Sequence, residues 1–165
     1  MSGIVCNAGP LIALAGIGQV GLLGELFGEV LVPVEVQAEV EAGGSGGVGA
    51  SLFQEQTWLR VTHLEQTVDP LLVSLLDQGE AATISLALQT KAALVLMDEV
   101  KGRRVARDVF GLAVVGTGRL LVEAKRARLI AEVRPLLTKM RSNGYWMADK
   151  IIAEVLRQAG ENSEP

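Results

Sequence analysis

Apolar and polar positions along this chain alternate between two periods, and the alternation predicts the elements in order. "GIVC" (3–6) is a short apolar run bounded by polar or small residues, as a buried strand requires. "GPLIALAGIG" (9–18) and "VGLLGELFG" (20–28) carry helical spacing and stop at glycines, the common residue past a helix end. "EVLVP" (29–33) predicts a second strand, with Pro33 placed to open the helix "VEVQAEVEA" (34–42), where its missing N–H is no loss. "WLRVTHL" (58–64) alternates as an edge strand does, and "DPLLVSLLDQ" (69–78) reads as a short helix.

The second half is more regular. "GEAATISLALQT" (79–90) is helical with Ala81, Ile84 and Leu88 on one face, "ALVLMD" (93–98) is a strand, "VKGRRVARDVF" (100–110) a helix and "LAVVGT" (112–117) a strand. Helices follow over "GRLLVEAKRA" (118–127), "PLLTKMRS" (135–142) and "DKIIAEVLRQAG" (149–160). Strands and helices alternating with short links predict one α/β domain around a parallel sheet, with no repeat and no linker. A flexible glycine-rich loop is expected at 42–50 and a disordered tail at 161–165.

Composition narrows the chemistry. One cysteine, Cys6, excludes an internal disulfide, and one histidine, His63, excludes the usual Cys/His zinc sets. A metal would therefore be held by oxygen, which favours magnesium, manganese or calcium. Residues 1–24 carry no charge but lack the basic start of a signal peptide, and Glu25 and Glu29 stop the run short of a membrane span. The expectation is a buried first strand and helix in a cytoplasmic protein. Net charge is −4, split as −10 over residues 1–100 and +6 over 101–165. This split fits either a basic surface for a polyanion beside a cation-holding acidic region, or two faces of opposite sign that pair within the fold or between subunits.

Ligands of an open parallel sheet bind at the carboxyl ends of its strands, so polar residues there are the candidates. They are Asn7 after the first strand, Glu35 and Glu39 on the helix after the second, Glu80 opening the helix at 79–90, Asp98 and Glu99 after the central strand, and Gly116 and Thr117 after the last. Each has an ordinary alternative. Asp98 or Glu99 could cap the helix that follows, but one cap leaves the second acid unexplained. Asp77 and Glu80 have the spacing of a capping box, and Glu35 and Glu39 that of a solvated helix face. Arg103, Arg104 and Arg107 follow the acids closely, which suits a phosphodiester held between metal and guanidinium, although Arg104 could pair with Asp108. Asp149 sits where a helix starts and reads as its cap. Gly44, Gly46 and Gly49 have dinucleotide-fingerprint spacing, but they follow a helix where that motif must follow a strand.

Taken in order, "IVCNAGPLIALAGIG", "VLVPVEVQAEVEAG", "DQGEAATISLALQTKAALVLMDEVKGRRVA", "LAVVGTGRLLVEAK" and "RPLLTKMRSNGYWMADKIIAEVLRQAG" resemble the PIN-domain superfamily, in particular its prokaryotic DUF3368 branch. The likeness spans about residues 3–160. It implies a three-layer α/β/α fold with a central parallel sheet. It also implies a Mg²⁺- or Mn²⁺-dependent ribonuclease acting on single-stranded RNA, related to the toxins of VapBC-type pairs and so with an antitoxin as partner. By position, the resemblance assigns metal ligation to Asn7, Glu39, Glu80 and Asp98, and catalysis to the three carboxylates. It leaves Arg103, Arg104 and Thr117 for phosphate, nucleic acid or water, and Glu99 as a supporting acid. Asn7 departs from the pattern, since active members usually carry Asp there. An amide offers a carbonyl oxygen but no charge and no base, so the alternative is a weak or inactive PIN module that binds nucleic acid or protein.

The apolar residues Leu136, Leu137, Met140, Ile151, Ile152 and Val155 of the last helices exceed what one sheet face is expected to cover, which predicts a homodimer. Light scattering at micromolar concentration should return twice the 17.4 kDa chain mass; the single mass would count against the dimer.

Overall fold

The structure, a computed structural model, describes residues 3–43, 49 and 51–161. Five short strands, β1 (Ile4–Cys6), β2 (Val30–Pro33), β3 (Leu59–Thr62), β4 (Leu94–Leu96) and β5 (Val114–Val115), form one sheet in the order β3-β2-β1-β4-β5, every pair parallel. Side chains along each strand alternate between two cores. Cys6, Val30, Val32 and Leu96 face one, and Val5, Val95 and Met97 face the other. Helices cover both faces, giving the expected α/β/α arrangement.

The first core takes α1 (Ala8–Gly16), α2 (Gly21–Phe27), α3 (Val34–Ala42), α8 (Thr117–Arg126), α9 (Arg134–Ser142) and α10 (Asp149–Gln158). The second takes α5 (Pro70–Leu75), α6 (Gln78–Thr90) and α7 (Val100–Arg104), which runs on as a π-helical turn over Val105–Val109. Helix α6 is buried on every side from Gly79 to Ala87, while Leu88, expected on its core face, is exposed. Fully buried Ile84 and Leu86 each contribute about 1.5–3 kcal/mol of transfer free energy. A four-residue helix α4 (Leu52–Glu55) was not foreseen, being too short to show a period.

Three pairings differ from the sequence reading. The π turn widens the spacing after Arg104, and Asp108 pairs with Arg107 at 3.5 Å. Asp149 caps nothing; Ala148 holds the cap position, and the carboxylate reaches Arg141 at 3.4 Å. Most of the C-terminal apolar surplus is covered within the chain: Leu137, Met140 and Val155 are buried, Leu136 and Ile152 pack against the same core, and Ile151 remains exposed. No single helix among the described residues is long and apolar enough to cross a membrane. Helices α1 and α2 would pass only as a pair bent by 119°. The loop expected at 42–50 falls mostly outside the described residues.

Glu161, assigned to the tail by composition, is anchored. Its carboxylate accepts from the backbone N–H groups of Val133 (2.7 Å) and Arg134 (3.0 Å) and from Lys125 Nζ (3.0 Å), closing the chain end over the start of α9. Burial pushes its pKa up, but these donors prevail and hold it below 4.5. A carboxyl with a depressed folded pKa binds fewer protons than in the unfolded chain, so its stabilisation is present above about pH 4.5 and fades as pH falls through the folded value. Glu161→Gln should therefore lower stability by about 1–3 kcal/mol at pH 7. Thermal unfolding should show that deficit shrinking towards pH 3.

Candidate functional site

The strand order reverses between β1 and β4, and a parallel sheet opens a crevice at the carboxyl ends of such a pair. Asn7 leaves β1 and Asp98 leaves the end of β4 at this crevice, and Asn7 N–H bonds the Leu96 carbonyl at 2.9 Å. Helix α6 begins beside them, because its first turn packs under β1 and against α3.

Asp98 does not cap α7; Glu99 occupies that cap position without a side-chain bond. Asp98 instead turns to the neighbouring strand's helix. Its Oδ1 accepts from Thr117 N–H and its Oδ2 from Thr117 Oγ1, both at 2.7 Å, at the first residue of α8. An anion there also meets the positive end of the helix dipole. Thr117 is 1% exposed, so this residue, expected to meet water or phosphate, orients the carboxylate. The Tyr145 phenol lies within electrostatic reach of Asp98. Burial first, and then the Asp98 charge, drive the phenol's pKa above its ordinary 10, so it stays a donor. Tyr145 carries no motif and lies 47 positions downstream of Asp98, so sequence reasoning missed this role.

Glu80 completes the expected capping box: its N–H donates to Asp77 Oδ1 at 2.8 Å, and its Oε2 accepts from Asp77 N–H at 3.1 Å. It is nonetheless buried, and burial together with the charges of Asp77, Glu99 and Glu39 raises its pKa. Glu39 is raised too, by burial and then Asp77. Glu39 reaches α6 because residue 79 is glycine; a Cβ there would collide with Glu39 Oε2 and lie 3.6 Å from Asn7 Oδ1. Asn7 is itself buried, 3.2 Å from the Thr83 hydroxyl, which also donates to the Gly79 carbonyl at 2.7 Å. Glu35, by contrast, lies against a separate cavity with Asp77 and Val73.

No cation balances these acids. Among the described residues Glu39, Asp77, Glu80, Asp98 and Glu99 form no ion pair, and no ion pair joins residues before 100 to those after it. The opposite charges of the two halves therefore do not cancel by direct pairing within the fold. Arg103 stands nearest: its Nη1 and Asp98 Oδ1 lie 3.2 and 3.0 Å from where a Cβ of Gly116 would be, without forming a salt bridge. Its Nε is buried and has no hydrogen-bond partner among the described residues. Arg104 and Glu99 are exposed. Among the described residues no three of the His, Cys, Asp and Glu side chains converge closely enough to form a metal-holding group. The site thus has two parts, Glu39, Glu80 and Asp77 around Asn7, and Asp98 with Thr117, Tyr145 and Arg103.

The fold is a three-layer α/β/α sandwich with acids and, among the described residues, an arginine without an ion pair at its topological switch point. The chain belongs to the DUF3368 family of PIN domains, whose model matches residues 3–161. No curated protein matches it.

Glu80 thus has two separable roles, a cap and a buried negative charge. Glu80→Gln keeps the cap acceptor, since glutamine serves in a capping box, and removes the charge. In EDTA at pH 7, Gln should match or exceed the natural protein in thermal stability, whereas Glu80→Ala should lose about 1 kcal/mol.

Proposed function

We propose that this chain is a PIN-domain phosphodiesterase that holds single-stranded RNA across the carboxyl ends of β1 and β4 and hydrolyses it with Mg²⁺ or Mn²⁺. The observation that supports the reading is Glu80, buried at the carboxyl end of the sheet, its pKa raised by burial and by the charges of Asp77, Glu99 and Glu39, with no ion pair to it among the described residues. A buried carboxylate among like charges is stabilised when something positive arrives. Every donor at the site is oxygen, which fits a hard cation. Glu39, Glu80, Asp98 and the Asn7 carbonyl would hold it.

A bound divalent ion supplies charge to stabilise the phosphoryl oxygens and to acidify water. The chain's own residues do the rest. Thr117 fixes the Asp98 carboxylate in orientation. Arg103, with no carboxylate to neutralise it, offers N–H donors to the phosphate. Burial and neighbouring charge raise the carboxyls of Glu80 and Glu39, and a cation held by them would favour their ionised form. A toxin role belongs to the same reading and adds an antitoxin that would cover the crevice; a second copy of the chain, meeting through Ile151 and Trp146, would complete a homodimer.

A second reading has its own support: Asn7 brings no charge, and no three acids converge, so the domain binds RNA or protein without cleaving it. Mn²⁺ separates the two. At a hundred times its dissociation constant it should stabilise the natural protein by about 2.7 kcal/mol, and Asp98→Asn and Glu80→Gln should lose most of that gain along with cleavage of labelled single-stranded RNA. Neither stabilisation nor cleavage in the natural protein would sink the enzyme reading. Cleavage appearing only in Asn7→Asp would establish the module.

A further inference from the structure

Beside Asp98, on the α1 side, lies a cavity of about 470 Å³ lined by Gly9, Ile12, Ala15, Val40, Met140 and Tyr145. Its walls are mostly apolar, with Asn143 the polar side chain among them, and none of the chemistry described above uses it. Two residues join it to the site. A Cβ at Gly9 would lie 3.5 Å from Asp98 Oδ2, so the bare face of this glycine separates the carboxylate from the cavity. Tyr145 is shared: its phenol lies within electrostatic reach of Asp98 while the residue forms part of the cavity wall.

We infer that this cavity is a pocket for one nucleobase of the bound single-stranded RNA, seated beside the ring of Tyr145. The inference rests on the RNA reading and names where the substrate's base goes. A phosphodiester at Asp98 and Arg103 carries its bases within a nucleotide's reach, and the cavity adjoins the carboxylate. The space is of the size that takes a small ligand, and the walls offer an aromatic ring with aliphatic side chains, the surroundings in which a flat base loses water favourably. Ile12, 42% exposed, makes an apolar lip. Trp146, next to Tyr145 and 81% exposed, stands ready to stack on the neighbouring base. A rigid duplex keeps its bases paired and stacked, so a pocket of this kind selects single strands.

The test needs no metal and no turnover. Anisotropy of end-labelled RNA, with EDTA present, compares a short single-stranded oligomer with one of equal length that lacks its bases. Natural protein should favour the base-bearing oligomer by about tenfold or more. Two variants fill the cavity: Ala15→Leu at a half-buried lining position and Ile12→Trp at an exposed one. Each should reduce the preference to within about twofold while the dependence of affinity on salt, which reports phosphate contacts, keeps its slope. Circular dichroism verifies folding, and if Ala15→Leu fails to fold, Ile12→Trp decides. Equal binding of both oligomers by natural protein, with steep salt dependence, overturns the pocket and leaves the RNA reading standing. A preference that survives both variants also overturns it. No binding of either oligomer overturns the pocket and leaves the metal-dependent reading to the Mn²⁺ test.

Discussion

The pair of hydrogen bonds from Thr117 to Asp98 holds the part of the molecule on which the site depends. It links the end of the central strand β4 to the first turn of α8, the helix after the neighbouring strand, so the carboxylate cannot rotate without uncapping that helix. Because Thr117 is buried, water does not compete for either bond. Tyr145, in the loop between α9 and α10, lies close enough to the same group for its charge to raise the phenol's pKa. Asp98 is therefore both a structural joint and the acid nearest the unpaired Arg103, and its orientation is set before any ligand arrives.

Around that joint the packing leaves charge uncompensated. Ion pairs are plentiful in the second half, where Glu123 meets both Arg119 and Arg126 and Glu154 meets Arg157, but these are exposed local pairs of small energetic value. Only Arg60 with Glu29 pairs in the first half among the described residues. Of the acids without an ion pair among the described residues, Asp77, Glu99 and Glu39 lie near enough to Glu80, where the sheet topology opens, to raise its pKa. Violations of this kind concentrate at functional sites, since a fold tolerates them only when the rest of the core is consistent. Here the two apolar cores on either side of the sheet supply that consistency.

Glycines make the approach of the segments close enough to matter. At Gly79 a side chain would strike Glu39, and at Gly102 a Cβ would lie 2.5 Å from Met97 Sδ and 3.6 Å from Glu80 Oε1. At Gly116 it would crowd both Asp98 and Arg103. Each is a position where two elements meet with no room for a side chain, and each borders an acid of the crevice. Backbone proximity, more than side-chain length, brings the acids within reach of one another.

Hydrophobic period and turn residues by themselves determined the order of the elements, the parallel α/β class and the capping box at Asp77 and Glu80, because these depend on neighbours a few residues apart. The carboxyl-end rule also placed Asn7, Glu39, Glu80 and Asp98 at one end of the sheet, since strand direction follows from the α/β alternation. What the linear order could not show was which strand sits beside which. Only the pairing of β1 with β4 and of β4 with β5 decided that Asp98 turns to Thr117 instead of capping its own helix, and that Arg104 and Asp108, separated by a π turn, do not meet. Asp98 and Thr117 are 19 positions apart, and their geometry is set by packing of the two cores, a property no local window of sequence contains.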